Sequence, residues 1–171
     1  MFNVGDLIMY STHGICQIDE VCEKTYLDVT KIYYVLHPLN NNKLKISTPV
    51  DNDKVMMLEI MDKERAETIL ESFKLPGIEW IENNKERNKV YSDIVNSGNR
   101  EEISKILSTL KQKSQEAIDD KVKFVDQDKA LLTSLQNILF SELAYSLGVS
   151  TDSIFETVDN YINIQKENTT D

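Results

Sequence analysis

The chain has 171 residues, of which 40% are hydrophobic and 28% charged, so it can bury one or two modest cores and is too short for a large multidomain enzyme. Its formal net charge of −10 would repel a polyanion if it were spread evenly, and binding to nucleic acid therefore requires a local basic face. No apolar run approaches the roughly 20 residues of a membrane span, which predicts a cytoplasmic protein with no membrane contact.

The residues that most often bind metals are few. Cys16, Cys22, His13 and His37 are too irregularly spaced for a structural zinc site, and we expect the two thiols to be small reduced side chains in strands. The chain also has no glycine-rich phosphate loop, no nucleophile elbow and no zinc-protease helix motif. We therefore expect no metal, no cofactor and no enzymatic activity.

The first 60 residues alternate with the period of β-strands. Between residues 44 and 48, for example, Lys45 and Ser47 share one face and the apolar residues share the other. The predicted strands are residues 7–10, 15–24, 31–37, 43–49 and 55–58, separated by turn residues. Five short antiparallel strands favour a small closed or half-closed barrel.

After Ile60 the apolar spacing changes to three and four, which predicts five helices. The expected ranges are 62–73 with Asp62 as the N-cap, 82–96, a third helix from Arg100, 127–147, and a last helix capped by Ser150 or Thr151. The fold class is therefore α+β. Residues 1–60 form a β module, residues 61–166 form a five-helix bundle, and residues 167–171 form a polar tail that we expect to fray.

The basic residues are unevenly distributed. Residues 100–124 carry six basic and five acidic residues, whereas residues 125–171 carry two and eight. Lys85, Arg87 and Lys89 lie just after the only tryptophan, Trp80, and such a combination can bind phosphates and stack on, or wedge against, an exposed base. The same pattern also fits a solvated helix face beside a core tryptophan.

Several motifs occur in a familiar order along the whole chain. They are Phe2-x-Val4-Gly5-Asp6-x-Ile8-x-Tyr10-x-x-His13-Gly14, Tyr33-Tyr34-Val35-Leu36, Pro49, Ser97-Gly98-Asn99 and Gln136-Asn137-Ile138-Leu139-x-Ser141-Glu142-Leu143-Ala144. Together they resemble the CarD/CdnL family of bacterial transcription regulators.

This resemblance implies a regulator that binds RNA polymerase and is not an enzyme. In the family a Tudor-like (SH3-like) β module, shared with the polymerase-interacting domain of the transcription-repair coupling factor, docks on the polymerase β subunit by strand pairing. Lys24 and Ser47 align with polymerase-contact positions, and Lys45 is a neighbouring candidate for the basic residue that is common at the second position. The resemblance also implies a cytoplasmic protein that reaches the nucleoid through polymerase.

The family's helical domain contacts promoter DNA at the upstream edge of the melted region and stabilises the open complex. The resemblance assigns DNA contacts, mainly to the phosphate backbone and the minor groove, to Arg87, Lys89, Lys113 and Lys129. Lys85 is added to these candidates as the first basic residue of the Lys85-x-Arg87-x-Lys89 pattern after Trp80. The family's minor-groove tryptophan aligns with Asn84, one helical turn after Trp80, so Trp80 is either the wedge itself or a hydrophobic anchor for the helix end.

Two functional hypotheses follow. In the first, the chain bridges polymerase and promoter DNA. In the second, it is a protein-only adaptor that binds polymerase through the β module and a second protein through its helical half. A monomer is expected, and a domain-swapped dimer stays open.

Overall fold

The computed structural model describes residues 1–10 and 13–169 of the chain. The chain divides into two compact units, Met1–Ile60 and Met61–Asp171. The first unit is built on an antiparallel sheet and the second on helices. This arrangement confirms the predicted α+β class.

The described part of the first unit contains five strands. They are β1 (Leu7–Tyr10), β2 (Gly14–Tyr26), β3 (Val29–Pro38), β4 (Ile46–Pro49) and β5 (Met57–Glu59). The predicted strands are all present, although β2 and β3 are longer than predicted and β4 begins three residues later. Their order across the sheet is β4-β3-β2-β1-β5, and each neighbouring pair is antiparallel.

Of the two expected arrangements, a closed or a half-closed barrel, the closed one is wrong. Within the described residues, β4 pairs only with β3 and β5 pairs only with β1, so the sheet stays open. Closure requires the two edge strands to pair with each other. These two are among the shortest strands of the sheet, with four and three residues, and they offer few backbone groups for such pairing.

One face of the sheet carries the core of the first unit. Its buried residues come from β1, β2 and β3, and they are Ile8, Tyr10, Cys16, Ile18, Tyr34 and Leu36. Burial raises the pKa of the Cys16 thiol to about 11, so this cysteine behaves as a small apolar side chain. Cys22 is half-buried further along β2, and both cysteines are free, as predicted.

A bulge in β2 determines which residues face solvent. The register shifts between Ile18 and Glu20, and beyond the shift Cys22 lies opposite Tyr33 and Lys24 opposite Lys31. Residues directly opposite each other in adjacent strands project to the same face. Lys24 and Tyr33 therefore share the face that lies away from the core.

The second unit contains five helices among its described residues. They are α1 (Lys63–Ser72), α2 (Asn84–Ser97), α3 (Arg100–Asp119), α4 (Asp126–Leu147) and α5 (Thr151–Thr169). Asp62 is the N-cap of α1, as predicted, because its Oδ1 accepts from the backbone N–H of Arg65 at 2.8 Å. Gly98 ends α2 with a φ of 68°, a conformation that favours glycine. None of the described helices is apolar over a length sufficient to cross a membrane.

Two predicted helix boundaries need correction. The second helix begins at Asn84 rather than residue 82, because Asn83 is the N-cap and accepts from the N–H of Glu86 at 3.0 Å. Residues 167–169 of the expected polar tail continue α5, and residues 170–171 lie outside the described residues. Lys166 in the last turn of α5 favours this extension because a cation stabilises the negative end of the helix dipole.

A buried ion pair joins α3 and α4 within the helical core. Arg100 Nη2 donates to Glu142 Oε1 at 2.7 Å, and the same oxygen accepts from the N–H of Met61 at 3.0 Å. Ser146 of α4 donates to the carbonyl of Met61 at 2.7 Å. The first residue of the helical unit is therefore fixed to α4 by its own backbone groups.

Candidate functional site

A lysine, a serine and two tyrosines meet on the solvent-facing side of the sheet. Lys24 Nζ donates to Ser47 Oγ at 2.8 Å and lies 5.7 Å from the centroid of the Tyr33 ring. Tyr26 packs edge-on against Tyr33, with their centroids 5.7 Å apart. We call these four residues the Lys24 surface. It brings together two of the three residues predicted to contact polymerase.

The third predicted residue, Lys45, lies beside an acidic partner. Its Nζ is 3.4 Å from Asp19 Oδ2, and His37 Nδ1 is 2.9 Å from the same carboxylate. The hydrogen bond with His37 lowers the pKa of Asp19, and Lys45 lowers it further. Lys45 is largely exposed, so it can still meet a partner, but part of its charge is already compensated.

The turn between β2 and β3 exposes an apolar tip that the sequence reasoning missed. Leu27 is 98% exposed and has a φ of +48°, and the next residue, Asp28, has a φ of +62°. A positive φ is unfavourable for leucine, and strained exposed positions concentrate at functional surfaces. Tyr26 and Val29 on either side are also exposed. The only signal in the sequence was an apolar residue in a short turn without glycine.

Arg87 lies in the interior of the helical unit. Its side chain is 1% exposed and makes two hydrogen bonds to Asp128, whose side chain is also 1% exposed; the Nε···Oδ1 distance is 3.1 Å. Nη1 donates to the carbonyls of Ile81 and Glu82, and Nη2 also donates to Asn84 Oδ1. All five N–H donors of the guanidinium are thus used within the protein.

This geometry changes the role that we assign to Arg87. A guanidinium that binds phosphate needs free donors at the surface. The donors of Arg87 are instead used inside the protein, where they join the N-terminal end of α2 to Asp128 of α4. Arg87 therefore acts as a structural residue that joins two helices and the segment preceding α2. It has no donor left for a DNA phosphate.

Trp80 is half-buried and packs on the helical core. The guanidinium carbon of Arg87 lies 4.0 Å from the centroid of the indole, and Lys113 Nζ lies 5.7 Å from it. Such cation–π contacts add to the packing of a tryptophan. One part of the indole is thus anchored and another part is accessible, so both alternatives for Trp80 remain compatible with its position.

The other predicted DNA contacts differ in their availability. Lys85, Lys89 and Lys129 are exposed and form no ion pair with any residue in the described part of the chain. Lys113, in contrast, pairs with Glu116 at 2.8 Å. Lys85 and Lys89 are each two residues from buried Arg87, which places them about 200° around α2 and on its solvent face.

Lys129 lies in the first turn of α4 next to Asp128, and Lys85 and Lys89 flank Arg87 in the first two turns of α2. The Arg87–Asp128 pair and a 2.6 Å hydrogen bond from Asn88 to Gln127 join the first turns of the two helices. Helix N-termini carry partial positive charge, which favours an anionic ligand. We call Lys85, Lys89 and Lys129 the lysine set.

Sequence reasoning missed the acidic partners Asp128 and Glu142. Both lie on α4 at the spacing of its apolar stripe, four residues before Leu132 and three after Leu139. A charged residue at a core position is rare unless it is paired, so this placement was an available signal. The pairing arginines, however, are 41 and 42 residues away in sequence.

The described residues contain no group of three or more histidine, cysteine or acidic side chains that could hold a metal ion. Each unit has an exposed surface with basic residues: two tyrosines with Lys24 on the open sheet of the first unit, and Lys85, Lys89 and Lys129 on the helices of the second. An open antiparallel sheet and a helical bundle, each with an exposed surface that carries basic residues, are typical of a protein that acts by binding partners.

The first unit is similar to a known domain family. Residues 2–61 match the model of the CarD-like/TRCF RID domain, which confirms the resemblance drawn from the sequence. The N-terminal unit is therefore similar to these domains, which supports binding to RNA polymerase.

The chain as a whole is similar to a protein of Bacillus subtilis (strain 168) named "Putative transcription factor YdeB". The two are 24% identical over 158 residues, which cover 90% of this chain and 97% of that protein. Together with the domain match, this similarity supports a role as a transcription regulator.

Proposed function

We propose that this protein bridges RNA polymerase and promoter DNA and stabilises the open complex. The N-terminal unit binds the polymerase β subunit. The lysine set of the helical unit contacts the phosphate backbone at the upstream edge of the melted region, with Trp80 at the minor groove. The chain performs no catalytic step.

Three features of the first unit support the polymerase contact. The family match covers this unit, the Lys24 surface offers a cation beside aromatic rings, and the Leu27 tip adds exposed apolar area. In addition, β4 lies at one edge of the sheet, where a strand of a partner can pair with its backbone.

The observation that carries the DNA contact is the exposure of Lys85, Lys89 and Lys129, which form no ion pair within the described residues and lie near the N-termini of α2 and α4. Three phosphate contacts on duplex DNA change affinity by about 40-fold between 50 and 200 mM salt, since the logarithmic slope is about −0.9 per contact. This contribution is small on its own. Docking on polymerase raises the effective concentration of the lysines near DNA, which explains how a chain of net charge −10 can use them.

The test of this proposal is the lifetime of open complexes formed by cognate polymerase, at two salt concentrations. The protein is expected to lengthen the lifetime, and the variant Lys85→Ala/Lys89→Ala is expected to lose most of that effect and to reduce the salt slope by about two. The matched control is Lys63→Ala/Lys105→Ala, which removes two exposed lysines elsewhere on the helical unit. Equal loss in both variants would contradict the specific role of the α2 lysines.

The polymerase contact has its own test. Lys24→Glu reverses the charge at the Lys24 surface and is expected to weaken capture of polymerase in a pull-down while the fold stays intact. Lys54→Glu makes the same charge change at an exposed position outside the Lys24 surface and should leave capture unchanged. Wild-type capture by Lys24→Glu would count against this surface.

One observation favours the protein-only adaptor as a second candidate. Arg87 is buried and Lys113 is paired, so two of the predicted DNA contacts have their charge compensated within the protein. If the α2 double variant leaves the open-complex lifetime unchanged while polymerase still binds, the adaptor is the better description of the helical unit.

A further inference from the structure

The segment that carries Trp80, residues 74–83, joins α1 to α2 and contains neither helix nor strand. Residues of α2, α3 and α5 hold this segment. We call it the Trp80 segment.

The closest contact comes from α3. A Cβ atom added to Gly77 would lie 2.2 Å from Thr109 Oγ1 and 2.8 Å from the carbonyl oxygen of Lys105. Only glycine allows the backbone to approach a helix this closely. One residue later, buried Thr109 donates its hydroxyl to the carbonyl of Ile78 at 2.8 Å.

A second brace comes from α5. The side-chain amide of Gln165 donates to the carbonyls of Phe73 and Leu75, the latter at 2.8 Å, and these groups lie where α1 ends and the Trp80 segment begins. Gln112 of α3 donates in turn to Gln165 Oε1 at 3.3 Å. The amide therefore ties the start of the segment to two helices.

The far end of the segment is held by Arg87. Its Nη1 donates to the carbonyl of Ile81 at 2.6 Å, and its guanidinium lies against the indole of Trp80. The segment is thus fixed before, within and after its centre, and the tryptophan lies between the last two of these contacts. Such density of bracing is unusual for a connection without regular structure.

We propose that Thr109, Gly77 and Gln165 are positioning residues that hold the indole of Trp80 in one orientation. The proposal rests on the proposed function, in which Trp80 acts at the minor groove. A side chain that is already ordered loses less conformational entropy when it binds, so a braced tryptophan acts on DNA more effectively than a mobile one. The helical bundle thereby holds the side chain of Trp80 in the orientation in which it meets DNA.

The decisive variant is Thr109→Val, which keeps the shape of the side chain and removes the donor to Ile78. Trp80 is the only tryptophan, so fluorescence excited at the red edge of the absorption band, where the tyrosines do not absorb, reports on this residue alone. We expect acrylamide quenching to rise by about twofold or more, because losing one buried hydrogen bond releases the segment more often. The matched control is Thr68→Val, whose exposed hydroxyl bonds only to the carbonyl of Glu64 in its own helix.

The functional readout is the open-complex lifetime in two backgrounds. Thr109→Val is expected to shorten the lifetime in the wild-type chain and to add nothing in a Trp80→Ala chain, since its effect passes through the indole. Gly77→Ala is a second variant with the same expected direction. Far-UV circular dichroism confirms that each variant is folded.

The outcomes separate this proposal from the proposed function. Unchanged quenching in folded Thr109→Val and Gly77→Ala, or an equal lifetime effect in the Trp80→Ala background, would overturn the positioning role. Increased quenching with a lifetime that Trp80→Ala does not change would leave the positioning role standing and overturn the role of Trp80 on DNA.

Discussion

The replacement of Asp128 by asparagine is the sharpest test of the structural role of Arg87. Both side chains of the pair are 1% exposed, and asparagine keeps the shape of aspartate while removing its charge. The guanidinium would then be a buried charge without a counterion, and breaking such a pair costs about 3–5 kcal/mol. That is a large fraction of the roughly 5–15 kcal/mol by which a domain is stable.

The assay is thermal and urea unfolding followed by circular dichroism at 222 nm. For a helical unit of this size, the loss corresponds to a decrease in Tm of about 10–20 °C. Asp126→Asn is the matched control on the same helix, since its side chain is 79% exposed and its partner is a surface lysine. This control should change stability by less than about 0.5 kcal/mol. If Asp128→Asn were as stable as the control and bound DNA more tightly, Arg87 would be free to contact phosphate and the structural assignment would be refuted.

Two further predictions concern the first unit. Leu27→Gly relieves the positive φ and is expected to raise the stability of the unit by up to about 1 kcal/mol in urea unfolding, yet to weaken capture of polymerase. Asp28→Gly, in the same turn, should leave capture unchanged, and equal capture by both variants would argue against the apolar tip. The pKa of Asp19 is lowered, mainly by His37, so the stability that it contributes is present above its ordinary pKa of 3.8 and is lost as the pH falls through the lowered pKa. Asp19→Asn should remove this acid dependence in hydrogen exchange of the β2 and β3 amides, and an unchanged profile would show that the pair contributes nothing.

Features that depend on local sequence could be predicted. The change of apolar period after Ile60 predicted where strands give way to helices, and Asp62 marked the start of α1 because capping depends on a few neighbouring residues. The two predicted boundaries that moved, at residues 82 and 167, are end effects of the same local kind.

Features that depend on distant residues could not. Whether the sheet closes depends on where its edge strands lie after folding, which strand count and length do not determine. The role of Arg87 depends on Asp128, which is 41 residues away, and no feature of the sequence indicates that these two residues pair. The resemblance to the CarD/CdnL family agrees with the match of the first unit, but it transfers residue roles by alignment position alone. Alignment does not show that one of these residues, Arg87, is buried.

The burial of Arg87 also changes how substitutions at this site must be interpreted. Arg87→Ala would remove a charge beside Trp80, and a loss of promoter effects would look like the loss of a DNA contact. The same variant, however, leaves the buried carboxylate of Asp128 without its counterion and removes the donors to the carbonyls of Ile81 and Glu82. The N-terminal end of α2 and the indole of Trp80 would therefore also lose the contacts that hold them. Lys89→Ala changes the surface charge by the same amount two residues away without touching a buried group. Only an effect that appears in Lys89→Ala, with unchanged unfolding, identifies phosphate contact as its cause.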